Sequence, residues 1–130
     1  HFKTVNDNHG HLVGDECLKI VSSKLKQHFS RETDLIARYG GEEFVLLINN
    51  ISNQNLEYKL EKLRKDIENT KISHESSVEF SITISIGAIL APAVFNDDAE
   101  QWIKIADLSL YTAKREGRNK LVLQDFSEMV

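Results

Sequence analysis

Cysteine, long apolar runs and excess positive charge are all scarce in this sequence. The single cysteine, Cys17, excludes a disulfide within the chain and fits a reducing compartment. No segment approaches the roughly 18 consecutive apolar residues of a membrane-spanning helix, and no signal peptide is visible. The net charge of −4 argues against a broad surface for nucleic-acid polymers, while it leaves room for a small phosphate pocket. We therefore expect a cytoplasmic chain.

The spacing of apolar residues predicts helices and strands that alternate along the chain. Apolar residues three and four apart predict amphipathic helices over residues 15–29, 56–67 and 103–113. Strands are predicted over residues 34–48 as a tight hairpin, over residues 78–86 by strict alternation, and at residues 121–123. Since neither repeats nor a linker interrupt this order, we expect one α/β domain over residues 1–130, with Cys17 in its core.

The stretch RYGGEEF, residues 38–44, places two adjacent carboxylates between a turn and an apolar strand. Gly40 and Gly41 predict a hairpin, because glycine accepts positive φ at both central positions without steric cost. In isolation, the two glycines are simply good turn residues. Glu42 and Glu43 are harder to explain, because a carboxylate forced toward a partly buried position needs a cation. Mg²⁺ suits such oxygen ligands and typically takes one or two carboxylates plus substrate phosphates.

Four blocks of sequence resemble those of one known family. GGEEF at residues 40–44 resembles the signature of the GGDEF family, with Glu in the variable third position. Residues 1–15, HFKTVNDNHGHLVGD, resemble its FK-x-x-ND-x-x-GH-x-x-GD segment, and SIG at residues 85–87 resembles its S-[IV]-G strand end. Residues 106–119 resemble its AD-x-x-LY-x-AK-x-x-GRN helix. The blocks occur in family order along nearly the whole chain, which makes the resemblance specific.

This resemblance implies the activity of a diguanylate cyclase, an enzyme of bacterial signal transduction. Members of the family condense two GTP molecules into cyclic di-GMP and two pyrophosphates with Mg²⁺ or Mn²⁺, in a homodimer whose subunits each present one GTP. The implied fold is an α+β palm, with a central, mostly antiparallel sheet flanked by helices. Its chemistry is mostly positioning and charge neutralisation.

The resemblance also implies roles for individual residues. Glu42 would coordinate the metal and act as general base on the 3′-hydroxyl, and Glu43 would assist at the metal. Gly40 and Gly41 would let the backbone lie against the nucleotide phosphates. Phosphate contacts are implied for Lys3, Lys114 and Arg118, and guanine recognition for Asn6 and Asp15.

Simpler explanations exist for three of these residues. Asp15, next to Gly14, is also typical of a helix N-cap. That role is compatible with guanine recognition, because a carboxylate accepts hydrogen bonds from the N1–H and amino groups of guanine. Outside the motif, Lys114 and Arg118 would be solvated cations near a helix C-terminus, where the helix dipole favours them.

Arg31 and Asp34 form an R-x-x-D motif whose Asp lies six positions before Gly40. At this distance the motif resembles the family's inhibitory product site. There the arginine would fork onto guanine or phosphate of cyclic di-GMP, and the aspartate would accept from guanine. Product bound at this site would hold the subunits in an unproductive arrangement, which couples two sites.

The sequence departs from the family pattern at its N-terminus. The family's first strand, which ends in a metal-binding Asp, precedes the FK segment, whereas this sequence begins at His1. We therefore expect a further Asp ligand and a central strand upstream of His1, and weak or no turnover by residues 1–130 alone. Any sensor domain and membrane contact would also lie upstream. The alternative function is a catalytically silent GGDEF domain that acts as a receptor for cyclic di-GMP or GTP.

Overall fold

The computed structural model describes residues 11–73, 79–91 and 99–127. In chain order the described elements are helix α1 (His11–His28), strands β1 (Leu35–Gly40) and β2 (Glu43–Leu47), helix α2 (Asn53–Glu68), strand β3 (Ile86–Leu90), helix α3 (Ala99–Arg115) and strand β4 (Leu121–Asp125). These elements form two compact units. The first unit contains the described residues up to Ile51 together with Asp66–Ile82, and the second contains Ser52–Lys65 together with the described residues from Thr83 onward.

The core of the first unit is built on α1. Apolar residues three and four apart form one buried face of this helix, as the sequence predicts. Its buried residues, with Phe29 just beyond the helix, are Val13, Cys17, Leu18, Val21, Leu25 and Phe29. Cys17 is 3% exposed and clusters with Val13 and Ile72, which confirms its place in the core. Burial raises the pKa of the Cys17 thiol, with a smaller contribution from the negative charge of Glu16.

Charged side chains join α1 to the end of α2 within the first unit. His28 Nε2 lies 2.7 Å from Asp66 Oδ2, and Lys24 Nζ lies 3.2 Å from Asp66 Oδ1. The hydrogen bond from His28 lowers the pKa of Asp66, with a further contribution from Lys24. The ionised carboxylate therefore stabilises the fold above its unfolded-state pKa, and this contribution is lost as the pH falls through the lowered folded-state value.

The strands β1 and β2 form an antiparallel hairpin in the first unit. The register runs from Leu35 opposite Leu47 to Arg38 opposite Phe44. It then shifts between Arg38 and Gly40, so that Tyr39 is left without a partner in the ladder and Gly40 pairs with Glu43. This irregularity determines which residues form the turn.

The second unit contains a parallel strand pair packed against α3, together with most of α2. β3 pairs with β4 from Ile86 opposite Leu121 to Leu90 opposite Asp125. Gly87 permits close packing of α3, because a β-carbon here would lie 2.6 Å from Leu110 Cα and even closer to Leu110 N and Ala106 O. Only a residue without a side chain fits between these backbones.

The predicted strand over residues 78–86 is displaced toward the C-terminus. In the described residues the regular strand begins at Ile86, and before it only Phe80 pairs, in an isolated antiparallel bridge with Ile72. Alternating apolar residues indicate an extended chain with one packed side, whereas a strand also needs a neighbouring backbone to pair with.

The helical predictions for the second unit are largely confirmed. Leu56, Leu60 and Leu63 of α2 are buried, as their spacing predicts. On α3, Ala113 is fully buried, while Ser109, which has no place in the predicted apolar stripe, is 1% exposed. Within the ranges described above, no helix is both long and apolar enough to cross a membrane.

Candidate active site

The tip of the β1–β2 hairpin is a two-residue turn made by Gly41 and Glu42. Since Gly40 pairs with Glu43, the prediction that Gly40 and Gly41 occupy the two central positions is wrong by one residue. Gly41 has φ 47°, whereas Glu42 has a negative φ. These signs match a type II′ turn, which takes glycine at its first central position.

A hydrogen bond from Arg38 holds the turn, and the space next to its glycines is open. Arg38 Nε donates to the Gly41 carbonyl oxygen at 2.8 Å, a contact that the motif alone does not reveal. A β-carbon at Gly40 or Gly41 would meet no atom within 4 Å. Gly41 is therefore required by its left-handed backbone and not by crowding, and the backbone at the tip is accessible to a ligand.

The two carboxylates occupy different positions at this tip. Glu42 is exposed and lies in the turn, while Glu43 is half-buried as the first residue of β2. Because Glu42 precedes the strand, neither strand alternation nor burial forces it toward the core. Glu42 therefore needs no buried partner, and of the two carboxylates only Glu43 is partly buried.

The donor chemistry at the tip fits a divalent cation that arrives with its substrate. Among the residues with described positions, no group of three or more His, Cys, Asp or Glu side chains could hold a metal ion. Two carboxylates are nevertheless sufficient for Mg²⁺, which completes its octahedral coordination with water and substrate phosphates. Among the described residues, Glu42 and Glu43 are the two carboxylates at this tip.

The predicted guanine-recognition residues are only partly described. Lys3 and Asn6 lie outside the described residues. Asp15 is exposed, and it lies on α1, which includes the residues from His11 onward. Asp15 is therefore inside the helix, so the N-cap interpretation is wrong and its carboxylate makes no cap.

Lys114 and Arg118 lie at the C-terminal end of α3, in the second unit. Gly117 has φ 118°, and Arg118 N donates to Ala113 O at 2.9 Å, which is the six-to-one bond of a Schellman motif. The prediction that Gly117 is the C′ residue is thus confirmed. Arg118 is exposed and Lys114 is half-buried. Both cations are located where the helix dipole favours them.

Arg31 and Asp34 contact each other directly. Arg31 Nη2 and Nε lie 3.1 and 3.3 Å from Asp34 Oδ1, and the Arg31 backbone N–H donates to Asp34 Oδ2 at 3.1 Å. Arg31 Nη2 also donates to the Asn49 carbonyl oxygen at 2.6 Å. The Asp34 side chain is 0% exposed and that of Arg31 is 41% exposed. The pair therefore links the residues before β1 to the residues after β2.

Solved structures similar to this chain define its fold class. The GGDEF domain of DgcB from Caulobacter crescentus in complex with c-di-GMP has a TM-score of 0.85 and 29% identity, and the match covers 95% of this chain and 71% of that one. Diguanylate cyclase SiaD of Pseudomonas aeruginosa, in complex with its activator SiaC, has a TM-score of 0.82 and 33% identity over 94% of this chain and 45% of that one. The predicted palm-like α/β class is confirmed.

Sequence comparison then identifies the family. Residues 1–120 match the family described as "Diguanylate cyclase, GGDEF domain". Diguanylate cyclase DosC of Escherichia coli K12 is 39% identical over 124 residues, which cover 94% of this chain and 26% of that protein. Diguanylate cyclase DgcP of Pseudomonas aeruginosa is 41% identical over 121 residues, which cover 93% of this chain and 17% of that protein. The chain belongs to the GGDEF family, and it spans about a quarter or less of these curated relatives.

Proposed function

We propose that this chain is the catalytic domain of a diguanylate cyclase, which converts two GTP molecules into cyclic di-GMP and two pyrophosphates. The observation that carries this proposal is the hairpin tip. Gly41 has a left-handed conformation and no atom within 4 Å of the position that a β-carbon would take, the exposed Glu42 follows it, and Glu43 is the next residue. In a member of the GGDEF family, this arrangement suits a nucleotide whose phosphates arrive with a divalent metal.

The chemistry of this proposal is assigned to the two carboxylates. Glu42 and Glu43 would hold Mg²⁺ or Mn²⁺, and the metal would supply charge neutralisation on the phosphates. Glu42 would also accept the proton of the 3′-hydroxyl. The resulting 3′-oxygen forms a bond to the α-phosphorus of the second GTP, and the bond to pyrophosphate breaks. The 3′-oxygen of the second GTP would attack the first GTP in the same way, which closes the ring and releases the second pyrophosphate. Each subunit of the homodimer would present one of the two GTP molecules.

The remaining predicted residues would bind the substrate. Asn6 and Asp15 would recognise guanine, and Lys3, Lys114 and Arg118 would contact phosphates. Asp15 is exposed and makes no cap, which leaves its carboxylate available to accept hydrogen bonds from a base. We place these residues in one cytoplasmic domain over residues 1–130 that works as a homodimer.

The direct test is an activity assay on the natural polypeptide that contains this chain. Incubation with GTP and Mg²⁺ is expected to yield cyclic di-GMP and pyrophosphate, which chromatography separates and quantifies. EDTA should stop the reaction, because the carboxylates alone cannot neutralise the phosphates. Binding of guanine nucleotide without any product would reject the enzyme and favour the receptor alternative.

Substitution of Arg31 by alanine is expected to relieve inhibition by the product. The Arg31 side chain is 41% exposed and binds Asp34 through its guanidinium, a group that also binds guanine or phosphate through paired hydrogen bonds. We expect the inhibitory concentration of cyclic di-GMP to rise at least about tenfold, which is the loss of one charge-assisted contact. The measurement is initial velocity against added cyclic di-GMP.

The internal contacts of Arg31 require a control for stability. Glu32, an exposed residue inside the same R-x-x-D motif, provides the matched variant Glu32→Ala. This control should retain normal inhibition. Arg31→Ala should also lower the unfolding midpoint, because Asp34 would be left buried without its guanidinium partner. If Arg31→Ala is folded and inhibited like the unmodified protein, the second site does not involve this motif.

A further inference from the structure

We propose that Arg64 is a positioning residue for Arg118, through hydrogen bonds that hold the backbone of the loop carrying Arg118. Arg64 belongs to none of the motif blocks described above and lies on α2 within the second unit. The inference rests on the proposed function in one respect, namely that Arg118 contacts the phosphates of GTP.

The loop after α3 adopts an unusual backbone conformation. Gly117, Arg118 and Asn119 follow one another with φ values of 118°, 62° and 48°. Glycine tolerates positive φ and asparagine adopts it more readily than most residues, whereas Arg118 loses roughly 1–2 kcal/mol in this region. Such strain persists only where the surrounding structure determines the conformation. A loop that holds Arg118 in this conformation therefore requires specific contacts.

Those contacts meet at Asn119. Arg64 Nη1 donates to Asn119 Oδ1 at 2.8 Å and to the Asn119 carbonyl oxygen at 3.3 Å. The Asn119 backbone N–H donates to Ser85 Oγ at 3.2 Å. The side chain, the carbonyl and the N–H of one residue are all bound, which restricts rotation on both sides of its Cα.

The Arg64 side chain is also held by a second residue, on its own helix. Its Nε and Nη2 donate to Glu61 Oε1 and Oε2 at 3.0 and 2.9 Å, a bidentate pair one turn away on the same helix. The Arg64 side chain is 13% exposed. The hydrogen bond from Arg64 lowers the pKa of Glu61, because it favours the ionised carboxylate. Nη1 therefore points toward Asn119 at little entropic cost.

The contacts of Arg64 with the loop affect the direction in which the Arg118 side chain points. This side chain is exposed, and its bonds within the described chain are a backbone N–H to Ala113 O and a long 3.5 Å contact from Nη1 to Lys114 O. The orientation of its Cα–Cβ bond is set by the loop backbone. A loop that samples other conformations would present Arg118 to substrate for only part of the time, which weakens apparent affinity in proportion.

The test compares Arg64→Gln with Lys65→Gln, a neighbouring exposed cation on the same helix. In steady-state assays with GTP, Arg64→Gln should raise KM about tenfold with little change in kcat, as expected for one lost charge-assisted hydrogen bond. Arg64→Lys should rescue little, because lysine cannot serve Glu61 and Asn119 simultaneously. In an Arg118→Ala background, Arg64→Gln should add less than about twofold, since the residue it positions is already absent. Lys65→Gln should match the unmodified protein.

Hydrogen exchange separates this inference from the proposed function. In Arg64→Gln the backbone amides of Arg118 and Asn119 should exchange faster, whatever reaction the protein catalyses. Faster exchange together with an unchanged KM would refute the phosphate contact of Arg118. Unchanged exchange of both amides would refute the role of Arg64.

A second pair of variants keeps the inference testable if Arg64→Gln does not fold. Asn119→Asp retains an oxygen acceptor for Arg64 and should preserve KM. Asn119→Ala removes that acceptor, leaves the Arg64–Glu61 pair intact, and should reproduce the rise in KM. Equal KM values for these two variants would overturn the proposal.

Discussion

Substitution of Glu42 by glutamine is expected to abolish turnover while the fold is preserved. Glutamine keeps the size of the side chain and removes the charge that binds the metal and accepts the proton. We expect kcat to fall at least about 100-fold, the range seen when one electrostatic contact to a transition state is removed. Glu42 is exposed in the turn, so the free energy of unfolding should change by less than about 0.5 kcal/mol.

The control for this prediction is Glu57→Gln, which neutralises another exposed glutamate, on α2. Its kcat should equal that of the unmodified protein. Denaturant unfolding of both variants verifies that any loss of activity is chemical. A Glu42→Gln protein that forms cyclic di-GMP at nearly the normal rate would show that the assignment of Glu42 is incorrect.

Substitution of Gly87 by alanine is expected to have the largest effect on stability. The new β-carbon would overlap the backbone of α3 at Ala106 and Leu110. Backbone atoms inside a helix cannot move aside as a flexible side chain can, so β3 and α3 must separate. We expect a loss of about 3 kcal/mol, the upper end of the usual cost of overpacking. Because domains have only about 5–15 kcal/mol of stability, denaturant titration will detect it readily.

Gly117→Ala distinguishes crowding from backbone strain. A β-carbon at Gly117 would meet no atom within 4 Å, but φ there is 118°. That variant should lose roughly 1–2 kcal/mol, the cost of an unfavourable φ for alanine. If both variants unfold at the same denaturant concentration, close approach of α3 is not the reason for glycine at position 87.

Features that depend on neighbouring residues in the sequence were predicted well. The buried faces of α1 and α2 follow from apolar spacing, because residues three and four apart lie on the same side of a helix. The hairpin was placed correctly by its glycines. Its turn residues were misplaced because the unpaired Tyr39 shifts the register, and the sequence carries no clear signal for such a bulge.

Features that depend on distant partners were predicted poorly. The strand expected over residues 78–86 was displaced because pairing depends on which backbones come together. The motif identified Arg31 and Asp34, but not the carbonyl of Asn49 that Arg31 also binds. Similarly, the contact between Arg64 and Asn119 joins residues 55 positions apart, and no local pattern indicates it.

Because Cys17 is buried, the reactivity of its thiol reports how often the core of the first unit opens. The thiol is 3% exposed and its pKa is raised, so thiolate is scarce and alkylating reagents cannot reach it while the first unit is intact. Since no other cysteine is present in the 130 residues, the alkylation rate at this single sulfur measures how often that core opens. Nucleotide, metal or cyclic di-GMP bound to the first unit would slow the labelling, and would do so without any added fluorophore.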